Sequence, residues 1–500
     1  MRIKNIALLA ILVLLFSLVF AACANYDEPA AQPAAEAAVV PEAPAAVMPD
    51  PEDVYGRFGA GDGIARLSYS FWGGDLERIA QMDAVQQFNE IWAGYIEVTP
   101  IHIPAAGGEY AIRITAMRAA GTNPDVATML PGLGFVWAQE GVFFNILELI
   151  DNDPYLTREC VVDNLFYMWD YDKSFGHTSS INPRAIFYCP DVFTEHGVPF
   201  PPVHHEEAWE WDQFIHYAQL LTIDFNGNNA LHPDFDPLRI RQFGVHFNPD
   251  DMVILGLMLD TNGADFLTVC GNYLALDTPE AREVLQRLYD MIYVYHVSPI
   301  PGDYANLPSG ANAIYHRQFG MVVTGYWNIL DFDRMGVNFG VGVLPVMTEP
   351  RNVKDAGVRV IFANSRYPLA AWELYKFLSN PAGALSLYRD GLWMPTRREW
   401  YLNPDLFEQW AGEGSAHPPY FWEVFVEGLF NGVSTPSIAL RIRNSEELIQ
   451  NAVRPALQQL WFEDMTIDEV IADVTARANP FVRGFNPGMH HASYYWQFQR

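Results

Sequence analysis

The chain has 500 residues, half of them hydrophobic, and 60 acidic against 30 basic side chains give it a formal charge of −30. So negative a surface repels nucleic-acid phosphates and anionic lipid, which argues against a nucleic-acid role. So apolar a composition belongs to a globular protein rather than a disordered one.

In chain order, Arg2 and Lys4 precede an apolar run over residues 6–20 and then Ala21-Ala22-Cys23. Two cations, a short apolar core and small residues before a cleavage point make residues 1–22 a secretory signal peptide, and the run is short for a bilayer-spanning helix. With Cys23 as the first mature residue, the segment resembles a bacterial lipoprotein signal, in which that thiol carries a diacylglycerol; Phe20 departs from the commoner Leu. A plain signal peptide or an uncleaved anchor is the alternative. Residues 23–62 are rich in Ala, Pro and Glu and too poor in branched and aromatic side chains to bury a core, so a disordered tether is expected there. Lipid attachment at Cys23 implies a body at the outer face of the cell membrane, on the extracellular or periplasmic side. The other cysteines, Cys160, Cys189 and Cys270, are an odd number without close spacing, which indicates neither a disulfide framework nor a CxxC metal site.

The mature body is too long for one ordinary core and suggests two lobes. Residues 66–71 alternate as a strand, with Leu67, Tyr69 and Phe71 on one face, and Trp72-Gly73-Gly74-Asp75 ends it. Leu76, Ile79, Ala80, Ala84, Val85, Phe88 and Ile91 then form one stripe at helical spacing, with Asp75 and Glu77 at the positive end of the helix dipole. A second strand over 96–101, a second helix over 110–120 capped by Gly121 and a third strand over 123–129 follow. A further helix-period stretch covers 135–140 and an apolar stretch 142–150. This βαβαβ order predicts a parallel sheet with helices on its faces and ligands at the carboxyl ends of its strands. Trp72-Gly73-Gly74-Asp75 and Met129-Leu130-Pro131-Gly132 lie at two such ends.

Several segments carry a resemblance. Phe71-Trp72-Gly73, Phe88-Asn89-Glu90 and the turn Ala120-Gly121-Thr122-Asn123-Pro124-Asp125-Val126 come first. Residues 185–188, Phe193, Gly197, Pro201-Pro202 and Trp211-Asp212-Gln213-Phe214 follow, although Cys189-Pro190 stands where Asn-Lys is usual. Later come Leu276-Asp277-Thr278-Pro279, Gln318-Phe319-Gly320-Met321, Gly325-Tyr326-Trp327-Asn328, residues 341–345, residues 370–378 and Gly391-Leu392-Trp393-Met394-Pro395. Their order and spacing resemble the extracellular solute-binding proteins of sugar-type ABC importers, the family of maltodextrin-binding protein. The resemblance implies an α/β fold of the two-lobed periplasmic-binding-protein type (type II), hinged, that captures a sugar for ABC permease transmembrane subunits as a monomer and without enzymatic activity. It also implies lobe one at 63–180 and 355–380, and lobe two at 181–354 and 381–500.

A sugar site needs flat apolar faces for pyranose C–H groups and carboxylates or amides for hydroxyls. Trp72, Trp327 and Trp393 sit in Gly- or Pro-flanked loops and are the candidate faces, with Gly73 and Asn328 beside them, whereas Trp209, Trp211 and Trp372 read as core. Asp75 reads as a hydroxyl acceptor or as a helix cap, and Met129 as a packing face at the third strand's end. Asn248, Asp250 and Asp251 follow a strand over 242–247 and read as ligand contacts or as an Asx turn. Asp224, Asn226 and Asn228 surround Gly227 like the first half of a calcium loop, or as a solvated Asx-rich turn. No other cofactor is indicated. The pairs His204-His205 and His490-His491 read as surface. No GxSxG, Walker A or Rossmann fingerprint stands in a strand-to-helix context. A glycoside hydrolase, or a receptor for a polyamine or peptide, is the alternative function.

Overall fold

The computed structural model describes residues 63–104, 108–487 and 489. The signal peptide, Cys23, the tether and the pair His490-His491 lie outside them. Among the described residues no helix is long and apolar enough to cross a membrane.

The first half is built on a four-stranded sheet of order β12-β3-β1-β2, in which β12 spans Val358–Ile361. β1 (Ala65–Trp72) pairs in parallel with β2 (Ile96–Ile103) along its whole length and with β3 (Val126–Met129). The helices α1 (Asp75–Ile91), α2 (Glu109–Ala119) and α3 (Pro131–Gln139) follow the three strands, as the alternating pattern requires. α1 buries Ala80, Ala84, Val85 and Phe88. The stripe read from sequence is narrower than expected: Ile79 and Ile91 are exposed, and Gln81 is buried in their place, donating to Glu77 while accepting from the Tyr69 hydroxyl. Gly121 ends α2 at φ +69°, a left-handed conformation that a Cβ disfavours. α3 begins earlier than the apolar period suggested, because Pro131 suits the first helical turn, where no N–H partner is required.

The second half holds a five-stranded sheet of order β10-β6-β9-β8-β7. Its members are β6 (Arg184–Tyr188), β7 (Ile223–Asp224), β8 (Ile240–His246), β9 (Phe319–Gly325) and β10 (Gly340–Gly342), with β8 and β9 parallel and the other pairs antiparallel. α4 (Trp211–Leu221) packs on β8. α5 (Met252–Thr261) and α6 (Pro279–Tyr293) pack on each other. Thr278 caps α6 by accepting from Ala281 N at 3.3 Å, ahead of Pro279. α7 (Asn328–Arg334) leaves the end of β9. Trp209, Trp211 and Trp372 are all buried.

The chain crosses between the sheets more than once. The hairpin of β4 (Phe166–Asp170) and β5 (Lys173–His177) packs on β12 and leads into β6, with Thr178 bridged to Val358. The return runs through β11 (Asn352–Val353), which pairs with β13 (Ser434–Thr435), into β12 (Val358–Ile361). β12 adds to the first sheet antiparallel to β3, so that sheet is mixed rather than wholly parallel. α8 (Pro368–Leu378) then packs on β1, β3 and α1, before α9 (Leu385–Arg389) and α10 (Ile438–Arg441).

Within α8, Lys376 is held between Asp153 at 2.9 Å and Glu373 at 2.8 Å, all three side chains nearly sealed from water. Asp153 also accepts from Trp372 Nε1. A cation paired twice in this way tolerates burial, whereas a carboxylate left alone would not.

The histidine pair at 204–205 departs from its surface reading. His204 is half-exposed beside Glu427, but His205 is buried, its Nε2 packed so close to Gly428 that a Cβ there would lie 2.9 Å away. Burial pushes the His205 imidazole down to about 4, so it stays neutral.

Candidate functional site

A cavity of about 550 Å³ lies between the two halves, within the usual range for small-molecule sites. One wall comes from the carboxyl ends of β1 and β3 and the turns beyond them: Trp72, Gly73, Gly74, Thr128, Leu130 and Pro131, with Glu77 and Gln81 from α1. The opposite wall comes from the entry to β6 (Asn182, Arg184) and the exit of β9 (Trp327, Leu330, Asp331), and the loop carrying Leu392 and Trp393 lines the cavity beside Arg359. The crossing segments contribute Ser179, Ser180 and residues 355–357, and Val253, Ser437 and Ala439 complete the lining.

The tryptophans are seated by glycines. A Cβ on Gly325 would stand 1.8 Å from Trp327 Cζ3, and one on Gly357 would stand 2.3 Å from Trp72 Cη2, so only the bare backbone admits each indole. Trp72 also meets Tyr110 edge-on at 5.1 Å. Arg184, the cross-strand partner of Gly325, lays its guanidinium over the Trp327 ring at 4.4 Å. Arg359, fully buried, does the same for Trp393 at 5.2 Å while donating to Ser379 Oγ and Ser179 O.

The polar lining divides into groups already satisfied and groups still open. Asp355 accepts from Ser437 N and Oγ and from the Tyr167 hydroxyl, so its role is to hold the crossing. Thr128 and Gln81 are tied to Tyr69. By contrast, the buried Oδ1 of Asn182 and Nε of Arg184 have no hydrogen-bond partner among the described residues. They sit two apart in sequence, on the same side of an extended chain. The ion pair of Arg184 with Asp251 is long, at 4.0 Å. Glu77 accepts from Gln81 Nε2 at 3.2 Å. Burial, and then the charge of Asp331, push the Glu77 carboxyl up to about 8. Burial raises that of Asp331 as well.

Of the residues singled out in the sequence, Trp72, Gly73, Trp327 and Trp393 line the cavity. Asp75 instead points to solvent beside Arg78, and Met129 is fully buried beneath the wall that its neighbours Thr128 and Leu130 form. Asn248 closes an Asx turn by accepting from Asp250 N. Asp251 caps α5 by accepting from Val253 N and reaches the site only through Arg184. Asn328 donates to Thr324 Oγ1 at 2.8 Å within its own turn. Sequence reading missed Glu77, Gln81, Asn182, Arg184 and Asp331 as lining residues. One local signal existed: Asp331 follows Trp327 by four residues, one turn along the same helix face.

The Asp224 loop stands apart from the cavity lining. The Asp224 carboxylate accepts from Asn226 N, Asn228 N, Asn228 Nδ2 and Asp236 N, which occupies all its favourable acceptor directions. Against the desolvation of burial, these donors hold the carboxyl down to about 2. Asn226 and Asn228 are thus parts of a self-closed turn. No group of three or more His, Cys, Asp and Glu suited to a metal ion occurs among the described residues.

A family model described as a bacterial extracellular solute-binding protein matches residues 83–412. The chain belongs to that family. A curated relative, an arabinooligosaccharide-binding protein of Halalkalibacterium halodurans, is 26% identical over 129 residues, which is 26% of this chain and 24% of that protein. The matching stretch thus spans about a quarter of that relative's length. Among solved structures, an ABC substrate-binding protein of Listeria monocytogenes in complex with cycloalternan superposes with a TM-score of 0.70 at 19% identity. It covers 84% of this chain and 99% of its own. The maltose/maltodextrin-binding domain of Bdellovibrio bacteriovorus bound to maltotriose gives 0.66 at 15%, over 84% and 100%. The two-lobed solute-binding fold is therefore shared over most of the described chain.

Proposed function

We propose that this family member is the substrate-binding lipoprotein of an ABC importer, tethered through Cys23 at the outer face of the cell membrane. It captures a mono- or oligosaccharide between its lobes, 63–180 with 355–380 and 181–354 with 381–500, and delivers it as a monomer to the permease subunits. The observation that carries this reading is the cavity itself: three tryptophans at its walls, with carboxyl, carboxamide and guanidinium groups still open to a ligand. Indole faces stack on the C–H groups of a sugar ring, and the open groups bond its hydroxyls. Contacts made to both walls only when the cleft is closed shift the population toward the closed form. No bond is broken.

Arg184 over Trp327 and Arg359 over Trp393 place positive charge at two of the three rings. This favours a neutral polyhydroxyl ligand over a polyamine, despite the acidic surface. Titrations with arabinotriose, maltotriose, cycloalternan and spermidine, followed by tryptophan fluorescence and calorimetry, test the reading. Saturable binding of at least one oligosaccharide at about micromolar affinity is expected. Binding of spermidine alone, or release of reducing sugar from the oligosaccharides, overturns it.

A further inference from the structure

Two carboxyl groups from different halves line the same cavity. Glu77 stands on the first turn of α1 and Asp331 on α7, and these two helices pack against each other. The Glu77 side chain folds back over Gly73, where a Cβ would come within 2.4 Å of Oε2, so the glycine lets the carboxyl lie against the cleft wall. Among the described residues, Gln81 is its one hydrogen-bond donor and the Asp331 carboxyl accepts no hydrogen bond.

Among the described residues, no cation from the surrounding elements neutralises the pair. On α1 itself, Arg78 turns to Asp75. On α7, Arg334 pairs with Asp390, beyond the end of α9, and Arg389 of α9 donates to the carbonyls of Gln409 and Glu413. Lys376 of α8 is held by Asp153 and Glu373, and Arg359 of β12 by Ser379. His102 of β2 bonds Gly73 O, and Tyr69 of β1 bonds Gln81. Across the cavity, Arg184 leans toward Asp251, and Asp355 is saturated by Ser437 and Tyr167. Asp333 adds a further negative charge on α7.

We propose that Glu77 and Asp331 act as a one-proton carboxyl pair that closes over the ligand, so that capture takes up a proton and the protonated carboxyl donates to a ligand oxygen. The inference rests on the cavity being a cleft that opens and closes. Closure strips water from both carboxyls and sets two like charges together, which a single proton relieves. Opening carries Asp331 away and returns Glu77 to water, which lowers its pKa toward the ordinary carboxylate range.

The sign follows from linkage. A carboxyl raised in the closed state stabilises that state at low pH, and the stabilisation is lost as pH rises from the open-state value through about 8. Between about 5 and 8, ligand affinity should fall by up to about tenfold per pH unit and then level off.

The test is calorimetry of the full mature chain with arabinotriose, maltotriose and cycloalternan at pH 5 to 9, in buffers of different ionisation enthalpy. The expected result is uptake of about one proton per ligand near neutral pH and the falling affinity just described. Glu77→Gln removes both the uptake and the slope, and Asp331→Asn moves the levelling-off to lower pH. Should Glu77→Gln fail to fold, as its thermal melt would reveal, the wild-type proton count and Asp331→Asn still decide. Oligosaccharide binding with no proton uptake and flat affinity overturns the pair but leaves the carbohydrate receptor standing. No oligosaccharide binding at any pH overturns both.

Discussion

Replacing Gly325 by Ala tests whether the placement of Trp327 matters. The added Cβ would stand 1.8 Å from Cζ3 and 2.3 Å from Cε3 and Cη2, roughly 1.7 Å short of ordinary carbon contact. Gly325 is locked in register between β6 and β9, opposite Arg184, so the backbone yields less readily than the ring. Trp327 is only half-buried, and its free direction is into the cavity, so the indole swings inward and leaves the guanidinium of Arg184. Overpacking costs about 1–3 kcal/mol when a site cannot relax. Because this ring can move, most of that cost should appear in binding, as an affinity about ten- to a hundredfold weaker, with the melting temperature lowered by only a few degrees. Calorimetric titration beside a thermal melt separates the two. Unchanged oligosaccharide affinity would refute the role of Trp327 as a wall of the site.

Other outcomes are as specific. Lys376→Met leaves Asp153 and Glu373 buried without their shared cation and should cost about 3–5 kcal/mol in urea unfolding. Asp224→Ala should destabilise the chain at pH 7. The difference from wild type should shrink as pH falls from about 4 toward 2, because a carboxyl held down in the folded state contributes above its unfolded pKa and loses that contribution through its folded one. Millimolar calcium should leave the melting temperature unchanged, since the acceptors of Asp224 are already occupied, and a clear rise would mean that the loop rearranges around the ion. Cys23→Ser should move the protein from the membrane to the soluble fraction of lysed cells, and stable retention would contradict the lipid tether.

Much of the scaffold was legible because it is local. The alternation at Leu67, Tyr69 and Phe71, the glycine at 121 and the Thr278-Pro279 start each state their structure within a few residues. Trp327 and Trp393 were legible for the same reason, since glycine or proline beside a strand end marks a loop that can face a ligand, whereas Trp72 is the last residue of β1 itself. What escaped was whatever depends on convergence. Glu77 at a helix start reads as a partner of the dipole, and only the approach of Asp331 from more than two hundred residues away makes it part of a cleft. Arg184 looks like an ordinary strand entry until Gly325 and Trp327 come beside it. Ile79 shows the reverse error: an apolar residue at nearly the right spacing lies on the far side of α1, while Gln81 faces inward because it has hydrogen-bond partners there. His205 escaped because nothing in its neighbourhood announces that a short turn folds it under Gly428.

Capture as proposed requires the two halves to close around a carbohydrate. Small-angle scattering of the mature chain, with and without whichever oligosaccharide binds in the titration, tests it most directly. A smaller radius of gyration is expected at saturation, reversed when the sugar is removed. Saturable binding with an unchanged scattering profile would contradict it.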